Sequence, residues 1–140
     1  AKLSYDLSES MTRMVEEYRP GASADLIIDV APALPPLGEE QRIALFHIAQ
    51  DALVNAQRHA RATRIHVSLH ANLSAIQLLV KDDGEGFDVA AERPEHHRGL
   101  RNMAARARAA GGEMTIESVT GAGTTVHVEF PIRTEEGARP

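Results

Sequence analysis

Cysteine is absent from the 140 residues. That excludes disulfides, thiolate metal sites and a cysteine nucleophile, and it suits a reducing compartment. Aromatic residues are scarce at 4%, so aliphatic side chains must build the interior; a 43% hydrophobic and 25% charged composition is enough for one core and one domain. No apolar run approaches the roughly 20 residues needed to cross a bilayer, and no charged start followed by an apolar segment resembles a signal peptide. The sequence therefore predicts no direct membrane insertion and a cytoplasmic location, with anchoring of a longer chain left open. Ala1 stands inside a helical pattern, which predicts a fragment of something longer. A basic excess is also missing: the net charge of −5 argues against a nucleic-acid partner. Locally the balance reverses, with arginines at 93, 98, 101, 106 and 108 against Glu95 alone, an excess that suits a small anionic ligand. None of the histidines shows H-E-x-x-H or similar spacing, so zinc is disfavoured.

The elements can be read in order. Leu3 to Tyr18 carries a helical stripe (Leu3, Leu7, Met11, Met14, Val15, Tyr18) that stops at Pro20-Gly21. Ala24 to Val30 reads as a strand, and the three prolines between Ala31 and Gly38 make a rigid connector. Glu39 to Ala60 gives the longest helix, with Leu45, Ile48, Ala49, Ala52, Leu53 and Ala56 on one arc; its alanines predict close approach to whatever lies beneath. Arg64 to Ala71 alternates strictly and pairs as a hairpin with Ala75 to Lys81. A polar, mobile segment is expected over Val89 to Arg98, then a helix opened by Gly99 (Leu100 to Ala110) and capped by Gly111-Gly112. Strands Glu113 to Val119 and Thr124 to Phe130 form a last hairpin, and residues 133–140 are a polar tail. Hairpins and strands with one polar face predict an α/β two-layer sandwich within residues 1–132, a mixed sheet with helices on one face.

Three stretches carry chemistry. Lys81 to Asp88, K-D-D-G-E-G-F-D, ends the apolar run Ile76 to Val80 in two carboxylates and two spaced glycines. Glycine lets a ligand approach the backbone closely, and a carboxylate at a strand end can take a hydrogen bond from a buried donor; a plain Asp-Gly turn is the alternative. Asp51 and Asn55 share one shoulder of the long helix, where an amide oxygen suits a hard cation such as Mg²⁺, or both simply sit at a helix surface. Arg58 and His59 follow one turn later. Arg98, Gly99 and Leu100 stand at the expected start of the last helix, whose N–H groups and dipole make an anion site, unless Gly99 is only an N-cap.

Four ordered blocks now resemble a family: H-I-A-Q-D-A-L-V-N-A-Q-R-H-A-R-A, V-K-D-D-G-E-G-F, R-G-L-R-N-M-A-A-R-A-R-A-A-G-G and T-G-A-G-T-T-V-H-V-E-F-P. In order and spacing they resemble the catalytic ATP-binding domain of bacterial two-component sensor histidine kinases, in the subgroup that pairs with NarL-type response regulators. The resemblance runs from about Ala24 to Ile132. It implies the Bergerat-type ATP-binding fold shared with gyrase subunits, mismatch-repair ATPases and heat-shock chaperones.

By this resemblance the ligands are ATP and Mg²⁺. Asn55 would hold the metal against the phosphates, with Arg58 and His59 on the phosphate side. Asp82 would accept from the adenine amino group, and Gly84 and Gly86 would let backbone pass the purine, with Phe87 in the same nucleotide-binding block. Residues 89–98 would form a lid, Arg98, Gly99 and Leu100 would meet phosphate, and Thr124 and Thr125 would close the adenine side. There are departures. Asp51 stands where the family keeps a catalytic glutamate, one methylene shorter; Asp83 replaces a common asparagine and puts a second charge near the nucleotide; His97 replaces a hinge glycine. The implied partners are a separate dimerisation and phosphoacceptor domain, joined through residues 1–20, and a response regulator, with the full-length protein a homodimer. The implied function is supply of the γ-phosphoryl to a histidine on that domain. A nucleotide-sensing or regulator-binding module, and an anti-sigma-type serine kinase of the same fold, are the alternatives.

Overall fold

Strict alternation in the strand segments decides the architecture, because side chains on successive strand residues point to opposite faces. The computed structural model describes residues 6–59, 61–90 and 94–132. The strands are β1 (Asp25–Val30), β2 (Arg64–Ala71), β3 (Ala75–Asp82), β4 (Glu113–Val119) and β5 (Gly123–Pro131). They form one five-stranded sheet in the order β1-β2-β3-β5-β4, with β1 parallel to β2 and every other pair antiparallel. The register lines up Val67 with Val80, Val80 with Val126 and Leu78 with Val128, so one face is a continuous aliphatic surface. The other carries His66, Ser68, His70, Gln77, Lys81, Thr125 and Glu129.

Helices α1 (Leu7–Tyr18), α2 (Glu39–His59) and α3 (Pro94–Ala109) cover only the aliphatic face. This is the expected two-layer sandwich. Asp6 caps α1 by accepting from the Glu9 N–H at 3.0 Å, a D-x-x-E signature that places the helix start later than Leu3, which lies outside the described residues. Ser8 Oγ donates to Ala31 O at 2.8 Å and ties α1 to the end of β1. On α2, Leu45, Ile48 and Leu53 are fully buried, each stabilising the fold by about 1.5–3 kcal/mol relative to exposure.

The start of α3 differs from the sequence expectation. Residues 94–98, expected in a mobile segment, are helical, and Gly99 is interior to the helix instead of opening it. Proline is favoured at the first helical position because its missing N–H has no partner there anyway, and one interior glycine costs only about 1 kcal/mol. Residues 91–93 of the expected lid lie outside the described residues, as does the tail at 133–140. The C-terminus of α3 ends as expected. The Gly112 N–H donates to Ala107 O and the Gly111 N–H to Arg108 O, with Gly111 at φ +94°, the Schellman arrangement. Among the described residues no helix is long and apolar enough to cross a membrane.

Gly112→Ala is expected to destabilise the fold by about 1–3 kcal/mol through overpacking, because a Cβ there would sit 2.7 Å from Glu129 O and from the Phe130 ring. Chemical denaturation measures this, and an unchanged midpoint would show that α3 can lift from β5 at no cost.

Candidate functional site

Asp82 is the last residue of β3, and period-two geometry turns its side chain to the helix-covered face. It is 6% exposed, a rare place for a carboxylate. The Gly84 N–H donates to its Oδ1 at 2.9 Å, and the Thr124 N–H on β5 donates to it as well. Those bonds favour the charged form. Burial outweighs them, and the nearby Asp83 charge acts with burial, so the carboxyl is held above its ordinary pKa. A carboxylate has about four acceptor sites, so capacity is left for a donor inside the adjoining cavity.

That cavity, of about 60 Å³, is lined by Ala52, Asn55, Ala56 and His59 of α2, Val80 and Asp82 of β3, Gly86 and Phe87, Leu100 and Met103 of α3, and Thr124 and Val126 of β5. Its walls are aliphatic and its polar groups few, the usual make-up of a small-molecule site. Two of the α2 alanines that sequence reasoning took as a sign of close packing leave this space: Ala52 and Ala56 form part of its wall. The apolar walls supplied by Val80, Met103 and Val126 were not singled out from sequence, because they carry the same signal as any core residue.

The loop after β3 is fastened to the β4–β5 hairpin. The Gly121 N–H donates to Glu85 O, and the Phe87 N–H to Ser118 Oγ at 2.8 Å. Ser118 Oγ in turn lies 2.8 Å from Thr124 Oγ1 and 3.2 Å from Gly123 O. Gly86 has φ +63°, and a Cβ on it would fall 2.1 Å from Val119 O; Gly123, at φ +89°, would place one 2.1 Å from Asp82 O. Only glycine allows this approach.

Other expected residues are placed differently. Gly84 does not line the cavity; its N–H serves Asp82. Thr125 does not close the cavity: it pairs with Lys81 and Glu117 and, one residue from Thr124, faces the opposite side of the sheet. Asp51, Arg58 and Arg98 are exposed and outside the cavity lining. Leu100 lines it. Gly99 packs on α2, with the position of a Cβ 3.5 Å from Asn55 Nδ2, but it and Leu100 lie beyond the first turn of α3 and do not present the open amides expected of a helix start. His97 falls within the helical backbone.

Asp83 adds its charge beside Asp82, and its carboxylate has a further task. Its carboxylate accepts from the Thr63 N–H at 2.8 Å, the Arg64 N–H at 2.9 Å and Thr63 Oγ1, so it clamps the end of β3 to the start of β2 instead of facing the ligand space. The Thr63 hydroxyl and these backbone donors hold its pKa below the usual carboxylate value.

Residues 40–134 match the family model described as Histidine kinase-, DNA gyrase B-, and HSP90-like ATPase. The sensor histidine kinase LiaS of Bacillus subtilis (strain 168) is 35% identical over 130 residues, 93% of this chain and 35% of LiaS. The signal transduction histidine-protein kinase/phosphatase DegS of Brevibacillus brevis is 37% identical over 98 residues, 70% of this chain and 25% of DegS. The chain thus spans about a quarter to a third of these relatives. Among solved structures, the Erythrobacter litoralis EL346 blue-light activated histidine kinase superposes with a TM-score of 0.76 at 18% identity, over 93% of this chain and 43% of that one. The ATP binding domain of PrrB from Mycobacterium tuberculosis gives 0.71 at 20% identity, over 92% and 96%. These two establish the fold.

Asp83→Ala is expected to lower the thermal midpoint at neutral pH. A carboxyl with a depressed folded pKa contributes fully above its unfolded value and loses that contribution as pH falls through the folded one. Wild type and variant should therefore converge only in strongly acid buffer, and equal midpoints at neutral pH would refute the clamp. Gly86→Ala should separate the loop from the hairpin, seen as faster amide hydrogen exchange at Phe87 and Gly121.

Proposed function

The chain belongs to the Histidine kinase-, DNA gyrase B-, and HSP90-like ATPase family, and from that premise we propose that it is the ATP-binding catalytic domain of a sensor histidine kinase. It supplies the γ-phosphoryl of Mg-ATP to a histidine on a separate dimerisation domain, for relay to a response regulator, in a full-length cytoplasmic-facing homodimer. The observation that carries this is the convergence of Asn55, Asp82, Gly86, Leu100 and Thr124, from separate parts of the chain, on one cavity.

Each residue has a task in this proposal. The adenine ring enters between the aliphatic walls, and Asp82 accepts from its exocyclic amino group; guanine, with a carbonyl there, would set oxygen against carboxylate. The cavity is small beside the roughly 300–1,000 Å³ of common ligand pockets, so it receives the base while sugar and phosphates extend past Asn55 towards His59, Arg58 and Arg98. Mg²⁺ is assigned to this end in the proposal because the half-buried Asn55 carboxamide offers a hard oxygen, while its Nδ2 lies towards Gly99 of α3. When bound, the metal would neutralise charge on the phosphates. The chain's own contribution is positioning and electrostatics, which phosphoryl transfer mainly requires. Asp51, exposed one turn before Asn55, is the carboxylate to which the proposal gives the catalytic role.

Asp82→Asn is expected to weaken ATP binding roughly 10- to 100-fold, the size of a charge-assisted hydrogen bond. In wild type, affinity should fall as pH drops through the raised Asp82 pKa, because the protonated carboxyl loses acceptor capacity, and the Asn variant should lose that component. Calorimetric titration checks both; unchanged affinity in Asp82→Asn would misplace the purine. Incubation with a helical phosphoacceptor domain and γ-labelled ATP should yield acid-labile, base-stable phosphohistidine. Label on serine, or nucleotide occupancy without transfer, would overturn the kinase assignment.

A further inference from the structure

We propose that Asp83 is a positioning residue for Asp82: an anion fastened beside the base-binding carboxylate, it sets how far into acid the site keeps hold of its nucleotide. This role rests on the adenine-binding reading above. The two aspartates are consecutive, yet their surroundings are opposite. Asp82 is buried in the cavity wall, while Asp83 is exposed.

Bonding fixes where the Asp83 charge stands. Its Oδ1 accepts the Thr63 N–H at 2.8 Å and the Arg64 N–H at 2.9 Å, its Oδ2 accepts the Thr63 hydroxyl, and its own N–H donates to Arg64 O at 3.3 Å. Thr63 is anchored in turn, because its carbonyl accepts the Asp25 N–H of β1 at 2.9 Å. Side chain and backbone of Asp83 thus meet one dipeptide, which holds the carboxylate at the end of β3. These donors, the Thr63 hydroxyl foremost, keep it ionised below the usual carboxylate range. Asp82 receives only the Gly84 and Thr124 N–H groups, set against burial that favours its neutral form. As pH falls, Asp82 therefore takes up a proton while Asp83 is still an anion.

An anion held beside a carboxyl favours the neutral form of that carboxyl, and Asp83 acts in this sense on Asp82, behind burial. The neutral form serves adenine badly, since one oxygen becomes a donor facing an amino group that also donates. Asp83 thus brings forward the loss of the base contact in acid. Around Asp82, Ile65 of β2, Val80 of β3, Leu100 and Met103 of α3 and Val126 of β5 are apolar. Lys81 and Arg64, each one residue from inward-facing Asp82 and Ile65, belong to the open face of the sheet. Glu85 of the loop is exposed and ion-paired with Arg61 at 3.9 Å. From α2, Arg58 lies outside the lining and His59 within it, where a protonated imidazole would act on Asp82 in the sense opposite to Asp83.

Asp83→Asn separates the charge from the clamp, because the amide oxygen can still accept both N–H groups and the amide NH2 can donate to the Thr63 hydroxyl. ATP affinity is measured by calorimetric titration from neutral pH into acid, with thermal midpoints showing that each protein is folded throughout. Protonation of ATP itself is common to both proteins and cancels in their ratio. Relative to that ratio near neutral pH, the variant should gain about two- to threefold over wild type in acid, the factor that a second charge several ångströms away supplies in wet surroundings. Added salt should narrow the gap. In the Asp82→Asn background the same change should leave the pH profile unmoved. If Asp83→Asn does not fold, Asp83→Ser takes its place. A purely structural role, or repulsion of the phosphates, would change ATP binding by one factor at every pH; that result, or coincident pH profiles, would overturn the role of Asp83. Wild-type affinity in Asp82→Asn would instead overturn the base-site reading on which it rests.

Discussion

A carboxylate buried where a strand ends is the constraint on which the rest of the site depends. Asp82 stays in the interior because two backbone donors meet it, one from the residue two positions on and one from the adjacent strand. The first requires the chain to turn sharply at Gly84; the second requires β5 to run alongside β3 in the observed register. Both bonds compensate only part of the desolvation, as the raised pKa indicates. A group kept under that penalty is poorly explained by stability alone. It is well explained as an acceptor held ready for a ligand donor, since perturbed buried carboxyls collect at functional sites.

The shape of the cavity follows from side chains that are small or missing. Ala52 and Ala56 on α2 leave depth that larger residues would fill, while Gly86 and Gly123 let two backbones come together at distances no Cβ permits. Beside this space the packing is close: Met103 in its wall and Ile65, the strand partner of Asp82, are almost wholly buried. The volume is thus maintained by rigid neighbours, because interiors packed at crystal-like density do not collapse into a gap of this size without strain.

Period-two alternation in Arg64 to Ala71 was enough to locate β2 and its wet face, and four spaced motifs were enough to indicate the fold. What sequence could not give were side-chain destinations set by distant partners. Asp83 does set a second charge beside Asp82, but its hold on Thr63 and Arg64 was not legible, because their positions relative to it exist only after β2 and β3 pair. Thr124 and Thr125 looked equivalent until strand geometry put them on opposite faces. Ser118 carried no signal, since a serine in an alternating strand is ordinary. The start of α3 is not legible because glycine is a strong punctuator, which favours a start at Gly99, while proline at 94 suits a loop and a first helical turn equally well.

The two ends of the site differ in how firmly they are built. At the base end, Asp82, Gly84, Phe87, Ser118 and Thr124 are linked by hydrogen bonds between loop, β3, β4 and β5, so their geometry is determined before any ligand arrives. At the other end Asp51, Arg58 and Arg98 are exposed side chains on two helices, and long exposed side chains give up rotamer entropy when they engage a ligand. Selectivity belongs to the first end because discrimination needs donors and acceptors that cannot rearrange to suit the wrong partner. The proposed transfer chemistry would fall at the second, and such chemistry depends on alignment to within a fraction of an ångström. On the proposed function, a preorganised base end and an adaptable phosphate end would let the chain hold a nucleotide by itself and leave the final alignment to the surface that brings the acceptor.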